Sequence, residues 1–159
     1  MPSSEWLTPS QQRTWLNYMR VYHRLEYEMN SHLQAELGMS LGDYTVMNAL
    51  SAADDHRMPL TKLATTIGWE RSRLSHHLQR MSRRGIVERT QSVVDRRVTD
   101  VVLTEAGWEQ LKHAAPRHVA RIRQLFFADL DTAKESELAD ILALVYENIL
   151  REGTLPRPD

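Results

Sequence analysis

Residues 70–104 read ERSRLSHHLQRMSRRGIVERTQSVVDRRVTDVVLT, and the period of the apolar positions changes part-way through. Leu74, Leu78 and Met81 recur at i, i+4 and i+7, which predicts a helix from about Glu70 to Arg84, stopped by Gly85. On such a helix Ser72, Arg73, His76, Gln79, Arg80 and Arg83 occupy the side opposite the apolar residues. Beyond Gly85 the helical period is lost. Residues 86–91 and 98–103 are short, rich in Val, Ile and Thr, and separated by the polar tip Ser92 to Arg97, which predicts a hairpin.

Upstream, Leu60, Leu63, Ala64 and Ile67 predict a two-turn helix opened by Pro59 and stopped by Gly68. Asp54-Asp55-His56-Arg57 is polar and reads as a loop. Before it, Ser40 is positioned as an N-cap, and Tyr44, Met47 and Leu50 carry a helix to about Ala53. From about Ser10 to Leu37 the residues Trp15, Tyr18, Tyr22, Leu25, Met29 and Leu33 follow helical spacing, with Gly38 as the stop. A helix of about 27 residues spans about 40 Å, longer than a small domain needs, so part of this stripe is expected to pack on another chain.

Downstream, Thr104 is placed to cap a helix carrying Trp108, Leu111 and Ala115. Pro116 should kink or restart that helix, because it removes a backbone donor. Val119, Ile122, Leu125 and Phe126 continue the pattern to about Leu130. A last helix, from about Lys134 to Arg151, aligns Leu138, Ile141, Leu142, Val145 and Ile149. The segment Glu152 to Asp159 reads as a loose tail.

The chain has 159 residues, which suits one domain with one core. No apolar run approaches the length of a membrane span and no signal-peptide pattern opens the chain, so the expectation is a cytoplasmic protein that does not contact a membrane. With no cysteine, disulfides, thiolate zinc sites and thiol nucleophiles are all excluded. The net charge of −1 hides an uneven distribution. Between Glu70 and Arg97 there are eight arginines against three acids, a segment of +5, so the remainder carries −6. A planar fork of donors suits phosphate oxygens and guanine edges better than a lysine point charge.

A solvated helix face is usually of mixed sign, whereas residues 71–85 contain no acid. Arginine, glutamine, serine and histidine on that face have the donors and acceptors that read base edges in a major groove. Asp95-Arg96-Arg97-Val98-Thr99-Asp100-Val101-Val102-Leu103-Thr104 resembles the D-x-R-x-x-x-x-x-L-T wing pattern of the MarR family of transcriptional regulators. Arg73 to Met81 and Arg84 to Arg89 resemble that family's recognition helix and its exit into the wing. The resemblance spans nearly the whole chain.

The fold it implies is mostly α with a small β-hairpin: a winged helix-turn-helix lobe plus a helical dimerisation region formed by the N- and C-terminal helices. Residues 1–159 form one such domain, with 39–104 as the DNA-binding lobe and 8–38 and 105–152 as dimerisation helices. The implied DNA-contacting residues are Ser72, Arg73, Ser75, His76, Gln79, Arg80 and Arg83 on the helix, and Asp95, Arg96 and Arg97 in the wing. Arg97 would enter the minor groove, with Asp95 orienting the loop. A purely structural staple between Asp95 and Arg97 is the other reading of that pair.

The family also implies a homodimer reading an inverted repeat, with half-sites about one helical turn apart, and acting as a ligand-responsive repressor. Its small aromatic or anionic effectors would meet His23, Tyr27, Tyr44, Met47 and Trp108, each of which reads more readily as a core residue. No cofactor is required. A regulatory zinc is disfavoured: His113 and His118 are five apart with Pro116 between them, and His76-His77 sit on the basic helix. A His site completed by Asp or Glu stays open. No catalytic motif is present, so an enzyme is not expected. The alternative is a helical interaction module whose basic face binds RNA or an acidic protein.

Overall fold

The computed structural model of the chain describes residues 6–158. It divides into two compact units, one up to Leu41 and one from Gly42 onward. The division therefore falls inside a helix, three residues past the expected lobe start at 39.

The first unit is dominated by α1 (Pro9–Leu37). Thr8 caps it reciprocally: the Gln11 N–H donates to the Thr8 hydroxyl, and the Thr8 N–H donates to Gln11 Oε1 at 2.9 Å. Pro9 stands in the first turn, where a missing N–H costs nothing. Met29 and Leu33 are buried, but the N-terminal part of the stripe is not, with Trp15, Tyr18 and Tyr22 about half exposed. The Leu41 N–H, at the start of α2 (Leu41–Ser51), donates to Asn30 Oδ1 at 3.0 Å.

In the second unit α2 is followed by a 3-10 turn over Asp54–His56 and then by β1 (Arg57–Pro59). This strand corrects the expectation of a plain polar loop. Three residues ending in proline carry no readable period; they become a strand only because β3 lies alongside. Helices α3 (Leu60–Ile67) and α4 (Arg71–Arg83) form the helix-turn-helix, and Pro59 is the residue before the first turn of α3 rather than within it. Gly85 adopts φ +72°, a left-handed turn that ends α4 and that a side chain would resist.

β2 (Val87–Gln91) and β3 (Thr99–Leu103) make the wing. The antiparallel sheet has the order β1-β3-β2, with Arg57 opposite Val102, and Arg89 opposite Val101. Val46, Met47, Leu50, Leu63, Leu74, Leu78, Met81, Val87 and Val101 form the solvent-free core beneath. Each such side chain contributes roughly 1.5–3 kcal/mol relative to exposure.

α5 (Glu105–Ile122) runs through Pro116 as an unbroken α-helix, so the proline neither ends nor restarts it. Pro116 and Lys112 are both exposed, and water can take the carbonyl that the missing donor leaves free. The irregularity comes later, as a wide π-helical turn over Arg123–Phe127. α6 (Thr132–Glu152) starts two residues earlier than the periodicity predicts, because Asp131 accepts from the Lys134 N–H at 2.9 Å. The tail after Glu152 is not simply loose: Arg157 pairs with Glu147 of α6. Asp159 lies outside the described residues.

Candidate nucleic-acid interface

The amphipathic pattern of α4 is realised as a buried apolar side and an exposed polar side. Leu74, Leu78 and Met81 have no solvent exposure, whereas Ser72, Arg73, His76, Gln79, Arg80 and Arg83 are exposed and Ser75 is half-buried. Two of these guanidinium groups are held in place. Arg73 lies over the Trp69 ring at 4.1 Å from its centroid, a cation–π contact. Arg80 Nη2 lies 3.0 Å from His77 Nδ1.

The helix is anchored from below by a buried carboxylate. Asp43, in the first turn of α2, is 3% exposed and takes a two-point ion pair from Arg84, Nη1 to Oδ2 at 2.9 Å and Nη2 to Oδ1 at 2.8 Å. His77 Nε2 approaches the same Oδ1 at 2.9 Å. The hydrogen bond to Asp43 raises the pKa of Arg84, which stays charged throughout the accessible pH range.

Between α3, α4 and the wing lies an open cleft of about 430 Å³. Arg71, Arg89 and Arg97 reach it together with the hydroxyl residues Thr61, Ser72 and Ser75. Thr61 and Ser72 belong to the first turns of α3 and α4, and neither helix has a side-chain N-cap bond. Guanidinium and hydroxyl groups gathered round one hollow are the elements of a phosphate cradle.

The wing tip is organised by Asp95. Its carboxylate accepts from Arg97 three times, from the backbone N–H at 3.0 Å, Nε at 3.1 Å and Nη2 at 3.0 Å. These bonds hold the Asp95 carboxyl below its ordinary pKa. Arg97 remains 90% exposed, so the brace orients it without hiding it. Val93 and Val94 are fully open at the tip, and Arg96 is exposed. The wing base is tied across its strands by Arg57 of β1, whose Nη1 donates to Asp100 of β3 at 3.3 Å and Thr90 of β2 at 3.2 Å.

A family model described as "Transcriptional regulator SarA/Rot" matches residues 28–113. Sco3205 from Streptomyces coelicolor, a MarR family transcriptional regulator solved in complex with DNA, is 32% identical at a TM-score of 0.89, over 96% of this chain and 99% of that one. The chain belongs to the MarR family of transcriptional regulators. AbsC, a MarR family regulator of the same species, is 34% identical at a TM-score of 0.86, over 92% of this chain and 98% of its own. The transcriptional repressor MprA of Escherichia coli is 27% identical over 123 residues, 77% of this chain and 69% of its own. Family membership places the chain among regulators, not enzymes.

Within this MarR-family chain the residues expected to meet an effector have unlike surroundings. His23 and Tyr27 are exposed on α1 in the first unit. In the second, Met47 is wholly buried, Tyr44 packs on the His118 ring at 4.1 Å, and Trp108 stacks on His56 at 4.6 Å. Burial raises the Tyr44 pKa, so its hydroxyl stays protonated. Among the described residues no group of three or more His, Asp or Glu side chains could hold a metal, and no helix is long and apolar enough to cross a membrane.

Sequence reasoning missed Asp43, His77 and Arg84 as a unit, and it counted Arg71 and Arg89 without giving them a place. An acid one turn into α2 looks like an ordinary helix-start residue. Nothing in its local sequence announces that it will be buried beneath two basic residues some 34 and 41 positions away.

Proposed function

We propose that this regulator binds duplex DNA as a homodimer, with α4 in the major groove and the wing along the adjoining minor groove, and represses transcription from an inverted-repeat operator. The observation that carries the reading is the cleft where Arg71, Arg89 and Arg97 converge between α4 and the wing. A phosphate strand passing from one groove to the next fits that hollow, and Arg97 continues from it toward the minor groove. The relative Sco3205 was solved in complex with DNA, which supports the DNA-binding part of this reading.

The dimer reading is supported by two incompletely covered apolar stripes. On α1, Trp15, Tyr18 and Tyr22 form a ladder of rings with centroids 5.5 and 6.3 Å apart, all about half exposed. On α6, Ile141, Leu142, Val145 and Ile149 are exposed to a similar degree. Stripes of this size suit a subunit interface better than water. Response to a small aromatic or anionic effector follows from the family resemblance and belongs to the same reading.

Selection of bound fragments from a pool of random duplexes tests the function. An inverted repeat with half-sites about 10–10.5 base pairs apart is the expected result. Enrichment without palindromy, or equal binding to RNA or an acidic protein, overturns it in favour of a generic basic-face interaction module. Light scattering on the free protein should return twice the chain mass, and a monomer contradicts the dimer.

A further inference from the structure

The ring of His77 lies between a buried carboxylate and an exposed guanidinium. On one side Nε2 is 2.9 Å from Asp43 Oδ1; on the other, Nδ1 is 3.0 Å from Arg80 Nη2. A guanidinium only donates, so Nδ1 must be the acceptor and must carry no proton. The remaining proton then resides on Nε2 and is donated to Asp43. One tautomer satisfies both contacts, and the carboxylate selects it.

The ring has little freedom to leave this position. Trp69 meets it edge-on with centroids 5.2 Å apart, and its side chain is 13% exposed. A Cβ on Gly42 would stand 2.9 Å from His77 Cε1 and 3.1 Å from Trp69, so the floor beneath the two rings is already filled. Trp69 in turn carries Arg73 on its face. Asp43 thus reaches the exposed side of α4 through a pair of packed rings.

We propose that His77 is a positioning residue for DNA recognition: buried against Asp43, it presents Nδ1 to hold the Arg80 guanidinium in its DNA-facing rotamer. A free arginine loses considerable rotamer entropy on binding, and a guanidinium already held in place loses less. The proposal rests on the reading that α4 contacts DNA, and it adds a role for a half-buried residue that touches none.

The test uses the full chain, the inverted-repeat duplex recovered by selection, and a random-sequence duplex, with affinity, salt slope and thermal melting read together. H77Q retains an amide donor near the Nε2 position for Asp43 but offers Arg80 no acceptor at Nδ1. H77N places its carbonyl near Nδ1 for Arg80 but withdraws the donor from Asp43. The expected result is that H77Q melts near wild type yet binds the selected duplex about tenfold more weakly. Its salt slope should be unchanged because the Arg80 charge still meets DNA, whereas R80A lowers both affinity and slope. H77N should melt lower yet regain most of the affinity, and R80A should cost less in the H77Q background than in the wild type.

If R80A weakens binding while H77Q binds like wild type, the positioning role is overturned and the Arg80 contact survives. If affinity follows melting temperature in both histidine variants, His77 is only structural. If R80A itself leaves affinity and slope unchanged, the assignment of Arg80 to DNA fails instead.

Discussion

Arg84 closes a two-point ion pair on Asp43, with both nitrogen-to-oxygen distances under 3 Å, and so ties the C-cap of α4 to the first turn of α2. The pair is asymmetric. Asp43 is buried, whereas the Arg84 side chain is 43% exposed.

Removing the exposed partner should therefore cost more than neutralising the buried one. Arg84→Ala leaves a buried carboxylate with its strongest donor gone, an expected loss of about 2 kcal/mol after discounting for the solvent already reaching the guanidinium. Asp43→Asn leaves Arg84 able to turn toward water and should cost less. Urea unfolding of the two variants checks the order, and an equal or reversed loss contradicts it.

Arg97 and Asp95 make a second prediction at the wing tip. Arg97→Ala should weaken operator binding by about tenfold or more while leaving the dimer mass unchanged. Gel-shift titration and light scattering on the same sample check both halves.

The Asp95 brace also has a defined pH response. Because its carboxyl is held below the ordinary value by Arg97, the brace is complete at and above the usual carboxylate range. It is lost only as pH falls through the lowered value. Carboxyl carbon shifts of Asp95 should titrate below those of an exposed aspartate, and Arg97→Ala should return the midpoint to the ordinary range. A midpoint already ordinary in the wild type would sink this prediction.

Arg71 and Arg89 line the cleft between α3, α4 and the wing. Contacts to phosphate carry no sequence information, so Arg71→Ala and Arg89→Ala should each weaken operator and random duplex alike. Each should also reduce the salt slope by about one. Loss confined to the operator would mean that these side chains read bases.

The junction between wing and α5 is tightly built. The Thr104 hydroxyl donates to the Gly85 carbonyl at 2.6 Å and accepts from the Gly107 N–H at 3.1 Å. A Cβ on Gly107 would stand 2.3 Å from the Ile86 carbonyl oxygen, a backbone atom that cannot step aside cheaply. Gly107→Ala should cost about 2–3 kcal/mol by overpacking, and Thr104→Ala about 1 kcal/mol by loss of the cap. Denaturant midpoints measure both, and a neutral Gly107→Ala would show that the helix can shift.

Periodicity and local stop signals were enough to identify the helices and the hairpin, since a face repeating every three or four residues, a glycine at φ +72° or a capping threonine acts over a few positions. The same local reading found the acid-free side of α4 and the D-x-R tip. It could not find β1, whose three residues pair with a strand more than forty positions later, or foresee that α5 would tolerate Pro116 because that turn faces water. It left the Asp43–His77–Arg84 cluster and the three-arginine cleft unseen as well. Those depend on which distant side chains folding brings together, and that is decided by packing in three dimensions rather than by separation along the sequence.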